Sequence, residues 1–161
     1  MEPIDEESGL SVPGPADTVF VRPAHSVPDQ PPVRLLLVED HAGLAEVTAE
    51  FLRSAGLEVE FALSGRDALA SAVVFQPEIV LCDLNLPDMG GLDVARALRM
   101  NPVIRNTLFV IHTGLDDIQV LERHVPAPEV NMILSKPIDE EKVERLLAEA
   151  RRSRQLRIQQ A

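Results

Sequence analysis

From Val33 onward the apolar positions follow two alternating patterns. Short apolar runs bounded by polar residues occur at 34–39 (RLLLVE), 57–62, 78–83 (EIVLCD), 107–112 (TLFVIH) and 131–135. Runs of that length predict buried strands. Between them, apolar residues return every three or four positions, as on a helix face. Leu44, Val47, Phe51 and Ala55 mark the first such face, and Gly56 stops it. Ser64 and Asp67 read as a helix-capping pair ahead of Ala68, Leu69 and Ala72. Leu92, Ala95 and Leu98 mark a third helix, and Asp116 to about Arg123 a short, weakly patterned fourth. Val143, Leu146, Leu147 and Ala150 define the last. Five β-α units in succession predict an α/β fold: a doubly wound, five-stranded parallel sheet covered on both faces, with right-handed crossovers. In such sheets the functional crevice lies beyond the carboxyl ends of the strands.

The flanking segments read differently. Residues 1–32 carry Pro3, Pro13, Pro15, Pro23, Pro28, Pro31 and Pro32 among acids such as Glu2, Asp5, Glu6 and Glu7. This composition predicts a disordered acidic, proline-rich leader or linker, with strand character only at Thr18–Val21. Residues 33–152 form the predicted domain. Residues 153–161 are a C-terminal tail, part of the basic run RRSRQLRIQQA and most simply a solvated extension of the last helix.

Composition narrows the picture. Aromatics make up 3% of the chain, without Trp or Tyr, so the core is aliphatic. A net charge of −11 disfavours direct nucleic-acid binding and suits magnesium or a basic protein partner. Cys82 is the lone cysteine, which excludes an intrachain disulfide and a zinc cluster and fits a reducing cytoplasm. No apolar stretch approaches the roughly 18 residues of a membrane span, and the acidic N-terminus is no signal peptide.

The polar residues at the strand ends carry the chemistry. Strand one ends in Glu39-Asp40, strand three in Asp83, strand four in His112-Thr113, and strand five in Ser135-Lys136 before Pro137. The fold brings three carboxylates, a hydroxyl and an ammonium to one crevice. Clustered carboxylates repel one another, and a hard divalent cation such as magnesium resolves the conflict. Lys136 pairs with Asp83 at rest and with phosphoryl oxygens afterward, Thr113 donates one hydrogen bond, and Asp83 is positioned as a carboxylate nucleophile. Singly, each residue has a plainer reading: the acidic pair as a helix cap, Thr113 as a turn residue, Lys136 as a solvated lysine. Cys82 reads as core, His112 as a partly buried strand residue, and His41 as a loop residue without a role. All four strand ends carrying the fitting group, in order, favours the functional reading.

The segments LLLVED, LCDLNLPDMGGLDVARALR, FVIHTG and LSKP resemble the receiver domains of two-component response regulators, over about Val33 to Ala150. The resemblance implies a flavodoxin-like (βα)5 fold with Asp83 as phosphoacceptor and Thr113 and Lys136 as its catalytic companions. Magnesium, with manganese as a substitute, would be held by Glu39, Asp40, Asp83 and the backbone carbonyl of Asn85. A cis Lys136-Pro137 bond and a Pro87-x-x-Gly90 turn after the phosphoacceptor are also implied. The expected donor is a histidine kinase or histidine phosphotransfer protein. The expected output is a conformational switch toward an unknown downstream protein, or a homodimer, in the cytoplasm. Such a chain catalyses its own phosphorylation and dephosphorylation and is not a turnover enzyme. No output domain is expected after Ala150, so the chain reads as a stand-alone receiver or as a piece of a hybrid kinase.

Three features depart from the resemblance. Ile133 stands where the family often has Tyr or Phe. VPAPEVN replaces the small turn before strand five, with Pro126 and Pro128 stiffening it. The fourth helix is short. In addition, Leu115 cannot orient a hydrolytic water, which implies slow loss of the phosphoryl group. Two other readings stay open: an interaction module that keeps the fold without the switch, and a phosphohydrolase of the haloacid dehalogenase type. The latter lacks its second Asp, since Asn85 occupies that position.

Overall fold

In the computed structural model, residues 30–124 and 127–160 are described. Five strands form one parallel sheet: β1 (Arg34–Val38), β2 (Glu58–Ala62), β3 (Ile79–Cys82), β4 (Leu108–Thr113) and β5 (Met132–Ser135). Helices α1 (Ala42–Ser54), α2 (Gly65–Phe75), α3 (Gly91–Met100), α4 (Leu115–His124) and α5 (Glu140–Gln160) follow them in alternation. The strand order is β2-β1-β3-β4-β5. β1 and β3 lie inside the sheet, which explains why IVLC of β3 is buried at every position.

Alternation along each strand divides the core. Leu35 and Leu37 of β1 join Ala45, Ala49 and Leu52 of α1 and Val143, Leu146 and Ala150 of α5. Leu36 and Val38 join Ala68 and Ala72 of α2, Val94, Ala95 and Leu98 of α3 and Leu121 of α4 on the opposite face. Phe109 is the one aromatic among the largest fully buried side chains; the rest are aliphatic.

The buried face of α1 is a correction. Leu44 and Val47 are 42% and 67% exposed, while Ala45, Thr48, Ala49 and Leu52 face the sheet. Small side chains let the helix axis sit close to the strands, and the apolar row expected to be core is displaced to the flank. Gly56, with φ +96°, ends the α1 segment as expected. Ser64 caps α2 by accepting from the Asp67 N–H at 3.1 Å.

The leader falls outside the described residues apart from Gln30, Pro31 and Pro32, and so does Thr18–Val21. Pro126 also lies outside them. Residues of the basic tail continue α5 to Gln160.

Candidate functional site

The parallel register places every strand end on one rim. Val38 pairs with Ala62 on one side and with Cys82 on the other, and Thr113 pairs with Ser135. The residues that follow these ends therefore meet. Carboxylate oxygens of Glu39, Asp40 and Asp83 all lie within 4.8 Å of one another. An all-oxygen donor set of this density is the kind a hard cation takes, so the residues present fit magnesium.

Lys136 occupies the middle of the group. Its Nζ donates to Asp83 Oδ2 at 2.7 Å and to Glu39 Oε2 at 2.6 Å. Pairing with Asp83 was expected; the equal hold on Glu39 was not. Burial alone would depress the lysine, but the two carboxylates outweigh it and hold the ammonium above its ordinary range. The backbone turns abruptly at a cis Lys136-Pro137 bond. Lys142 fixes that turn from the first turns of α5, donating to the carbonyls of Ser135 and Pro137, each at 2.8 Å.

Asp83 is oriented from two sides. Lys136 holds Oδ2, and the Asn85 N–H donates to Oδ1 at 3.2 Å. The loop beyond is tightly built. Gly91 N donates to the Leu84 carbonyl at 2.7 Å, and a Cβ at Gly91 would stand 2.5 Å from the Asp83 carbonyl oxygen, so only glycine fits. The Pro87 to Gly90 segment closes through a bridge between Asn85 and Gly90. Asp88 reaches across to the start of α2 and accepts from the N–H groups of Gly65 and Arg66 at 2.9 and 2.8 Å, which lowers its carboxyl pKa.

Thr113 is buried, and its hydroxyl donates to Asp117 Oδ2 at 3.3 Å. Asp117 also accepts from the Asn85 side-chain amide at 3.4 Å. Neither Asp117 nor Lys142 was singled out from sequence. The signal for Asp117 was the four-residue spacing from Thr113 into a helix start, which is too common to stand out.

The remaining candidates are structural. His41 is the N-cap of α1, its Nδ1 accepting from Leu44 N at 3.1 Å, and its own N–H donates to Glu39 Oε1 at 3.3 Å. Cys82 is fully buried, and its thiol is pushed far above the ordinary range. His112 is buried beneath the lysines with Nε2 lacking a partner. Burial and the nearby charges of Lys136 and Lys142 push its pKa down to about 4, against a weaker opposing pull from Asp83. A cavity of about 340 Å³ opens beside the site, lined by Leu44, Val47 and Phe51 of α1 together with His112, Pro137 and Ile138. On the other face of the sheet, Ile133 borders an aliphatic cavity of about 280 Å³ with Leu92, Ile111, Leu121 and Val130.

Comparison with known proteins agrees with this geometry. The family model of the response regulator receiver domain matches residues 35–148. The cell cycle transcriptional regulator CtrA of Caulobacter vibrioides is 32% identical over 123 residues, which cover 76% of this chain and 52% of CtrA. The DNA-binding response regulator MtrA of Mycobacterium leprae is 35% identical over 120 residues, covering 74% and 52%. The chain thus spans about half the length of the curated relatives it matches. Among solved structures, a CheY-like response regulator receiver domain from Methylobacillus flagellatus is 30% identical with a TM-score of 0.65, covering 74% of this chain and 98% of that one. The chemotaxis response regulator CheY4 of Vibrio cholerae is 27% identical with a TM-score of 0.64, covering 74% and 98%.

Proposed function

The chain belongs to the response regulator receiver domains of two-component systems, and from that membership we propose that Asp83 accepts a phosphoryl group from a phosphohistidine. The observation that carries the proposal is Lys136 Nζ bridging Glu39 and Asp83 at 2.6 and 2.7 Å within the acidic cluster. In the transfer, an Asp83 carboxylate oxygen bonds to phosphorus as the P–N bond of the donor breaks, and the imidazole nitrogen leaves with the electron pair. Lys136 moves from pairing carboxylates to pairing phosphoryl oxygens. Thr113 leaves Asp117 and donates to one of those oxygens. Glu39, Asp40, Asp83 and the Asn85 carbonyl would hold magnesium, or manganese in its place. Bound there, the ion offsets charge on the transferring group.

The donor, a histidine kinase or histidine phosphotransfer protein, docks by this reading on the exposed Leu44 and Val47 of α1 beside the site. The chain performs only its own phosphorylation and dephosphorylation. Leu115, exposed at the start of α4, offers no group to orient water, which favours a long-lived acyl phosphate. A net charge of −11 favours a protein as downstream partner over nucleic acid. No described helix is long and apolar enough to cross a membrane; we place the chain in the cytoplasm.

The test is intact mass after incubation with magnesium and acetyl phosphate. Wild type gains one phosphoryl group and Asp83→Asn gains none. An unmodified wild type, or equal labelling of the mutant, overturns the proposal. The same experiment separates the switchless interaction module, for which Ile133 speaks, since that reading predicts no adduct.

A further inference from the structure

Two long hydrogen bonds meet on one carboxylate oxygen at the entrance to the site. Asp117 Oδ2 accepts from the Thr113 hydroxyl at 3.3 Å and from the Asn85 amide at 3.4 Å. Thr113 belongs to the end of β4, Asn85 to the loop after β3, and Asp117 to the first turn of α4. One side chain therefore ties three elements together around Asp83. Both contacts lie at the weak end of hydrogen-bond geometry, so they can be exchanged for stronger ones.

We infer that Asp117 is a positioning residue, a latch that holds the Thr113 hydroxyl away from Asp83 in the resting state and couples its release to the first turn of α4. The inference rests on Asp83 being the phosphoacceptor. A hydroxyl carries one proton and can donate to one acceptor at a time. Thr113 cannot serve Asp117 and a phosphoryl oxygen together, so forming the second bond breaks the first. That exchange releases the first turn of α4 from the β4 end. Aliphatic packing around Ile133 gives no ring to turn inward, whereas this relay needs none. Among the described residues of α4, Leu121 is the one buried hydrophobic side chain, and Val120 is 54% exposed.

The test uses the full chain and beryllium fluoride with magnesium as the phosphoryl mimic. Affinity is read by titrating the Thr113 methyl resonance. Removing a latch that favours the resting state makes Asp117→Ala bind the mimic about fivefold more tightly than wild type, the scale of one modest hydrogen bond. In a Thr113→Val background, followed through α4 amide resonances, Asp117→Ala changes affinity by less than about twofold, because the latch is already gone. In the resting protein without metal or mimic, Asp117→Ala also shifts the Thr113 methyl resonance, which a remote structural role would not do. If wild type binds no mimic, the phosphoacceptor reading fails. If wild type binds it and Asp117→Ala binds equally or more weakly, or gains as much in the Thr113→Val background, the latch is overturned.

Discussion

His112 shows what one residue pays for its place. It sits at the end of β4, buried, next to two lysines and with Nε2 unsatisfied, so the native chain keeps it neutral and its pKa falls to about 4. The ordinary value lies near 6.5. Between those values the unfolded chain binds a proton that the native chain refuses, so stability is full above about pH 6.5 and falls as pH drops toward about 4. A loss of about 2 kcal/mol between pH 7 and pH 5 is expected from urea midpoints, and His112→Val should flatten that interval. At this scale the sequence was legible wherever a residue's direction follows from its strand. Glu39, Asp40, Asp83, Thr113 and Lys136 lie at or just past strand ends, and parallel pairing alone gathers them. Asp117, Lys142 and Asp88 were not legible, because each reaches the site from a helix or loop whose approach depends on tertiary packing.

Among the elements, the turn between α4 and β5 is anchored from a distance by α3. Arg99, near the end of that helix, donates to the Glu129 carbonyl at 3.1 and 2.8 Å, to the carbonyls of Arg105 and Thr107 at 2.7 and 2.5 Å, and to Asn131 Oδ1 at 2.6 Å. Asn131 Oδ1 in turn accepts from the Phe109 N–H at 2.8 Å. A planar fork is needed to reach several acceptors at once. Arg99→Ala strips partners from several carbonyls and should cost about 3 kcal/mol, seen as a lower urea midpoint; Arg99→Lys should recover less than half of that. The existence and order of all ten elements were readable from period and punctuation. The inward face of α1 was not, since Leu44 and Val47 look like core until the closeness of helix to sheet selects Ala45 and Ala49 instead.

For the whole molecule, the rim opposite the site is closed by α5. Arg154 donates to Glu78 Oε2 through Nε and to Oε1 through Nη2, each at 2.6 Å, in a largely buried fork-on-fork pair. It also reaches the Pro32 carbonyl at 3.3 Å, while Arg157 donates to the Asn106 carbonyl at 3.0 Å. Burial by itself would raise the Glu78 pKa; the hydrogen bonds and charge of Arg154, with help from Arg34, lower it instead. Its stabilisation is therefore present above the ordinary carboxylate value and is lost as pH falls through the lowered native one. Glu78→Gln should lower stability at pH 7 by about 3 kcal/mol and show a shallower decline below about pH 4.5 in acid titrations of unfolding. Alternation of strand and helix made the sheet legible from sequence. This long-range pair was not, because no local pattern links members 76 positions apart.

Because Pro32 and the last turns of α5 both sit at the starts of the strands, a reporter or immobilisation tag joined near either would project from the floor of the sheet. A five-residue strand puts that floor about 17 Å from the acidic rim. A sensor surface could then present the protein by its base, with the acidic rim directed toward the flow.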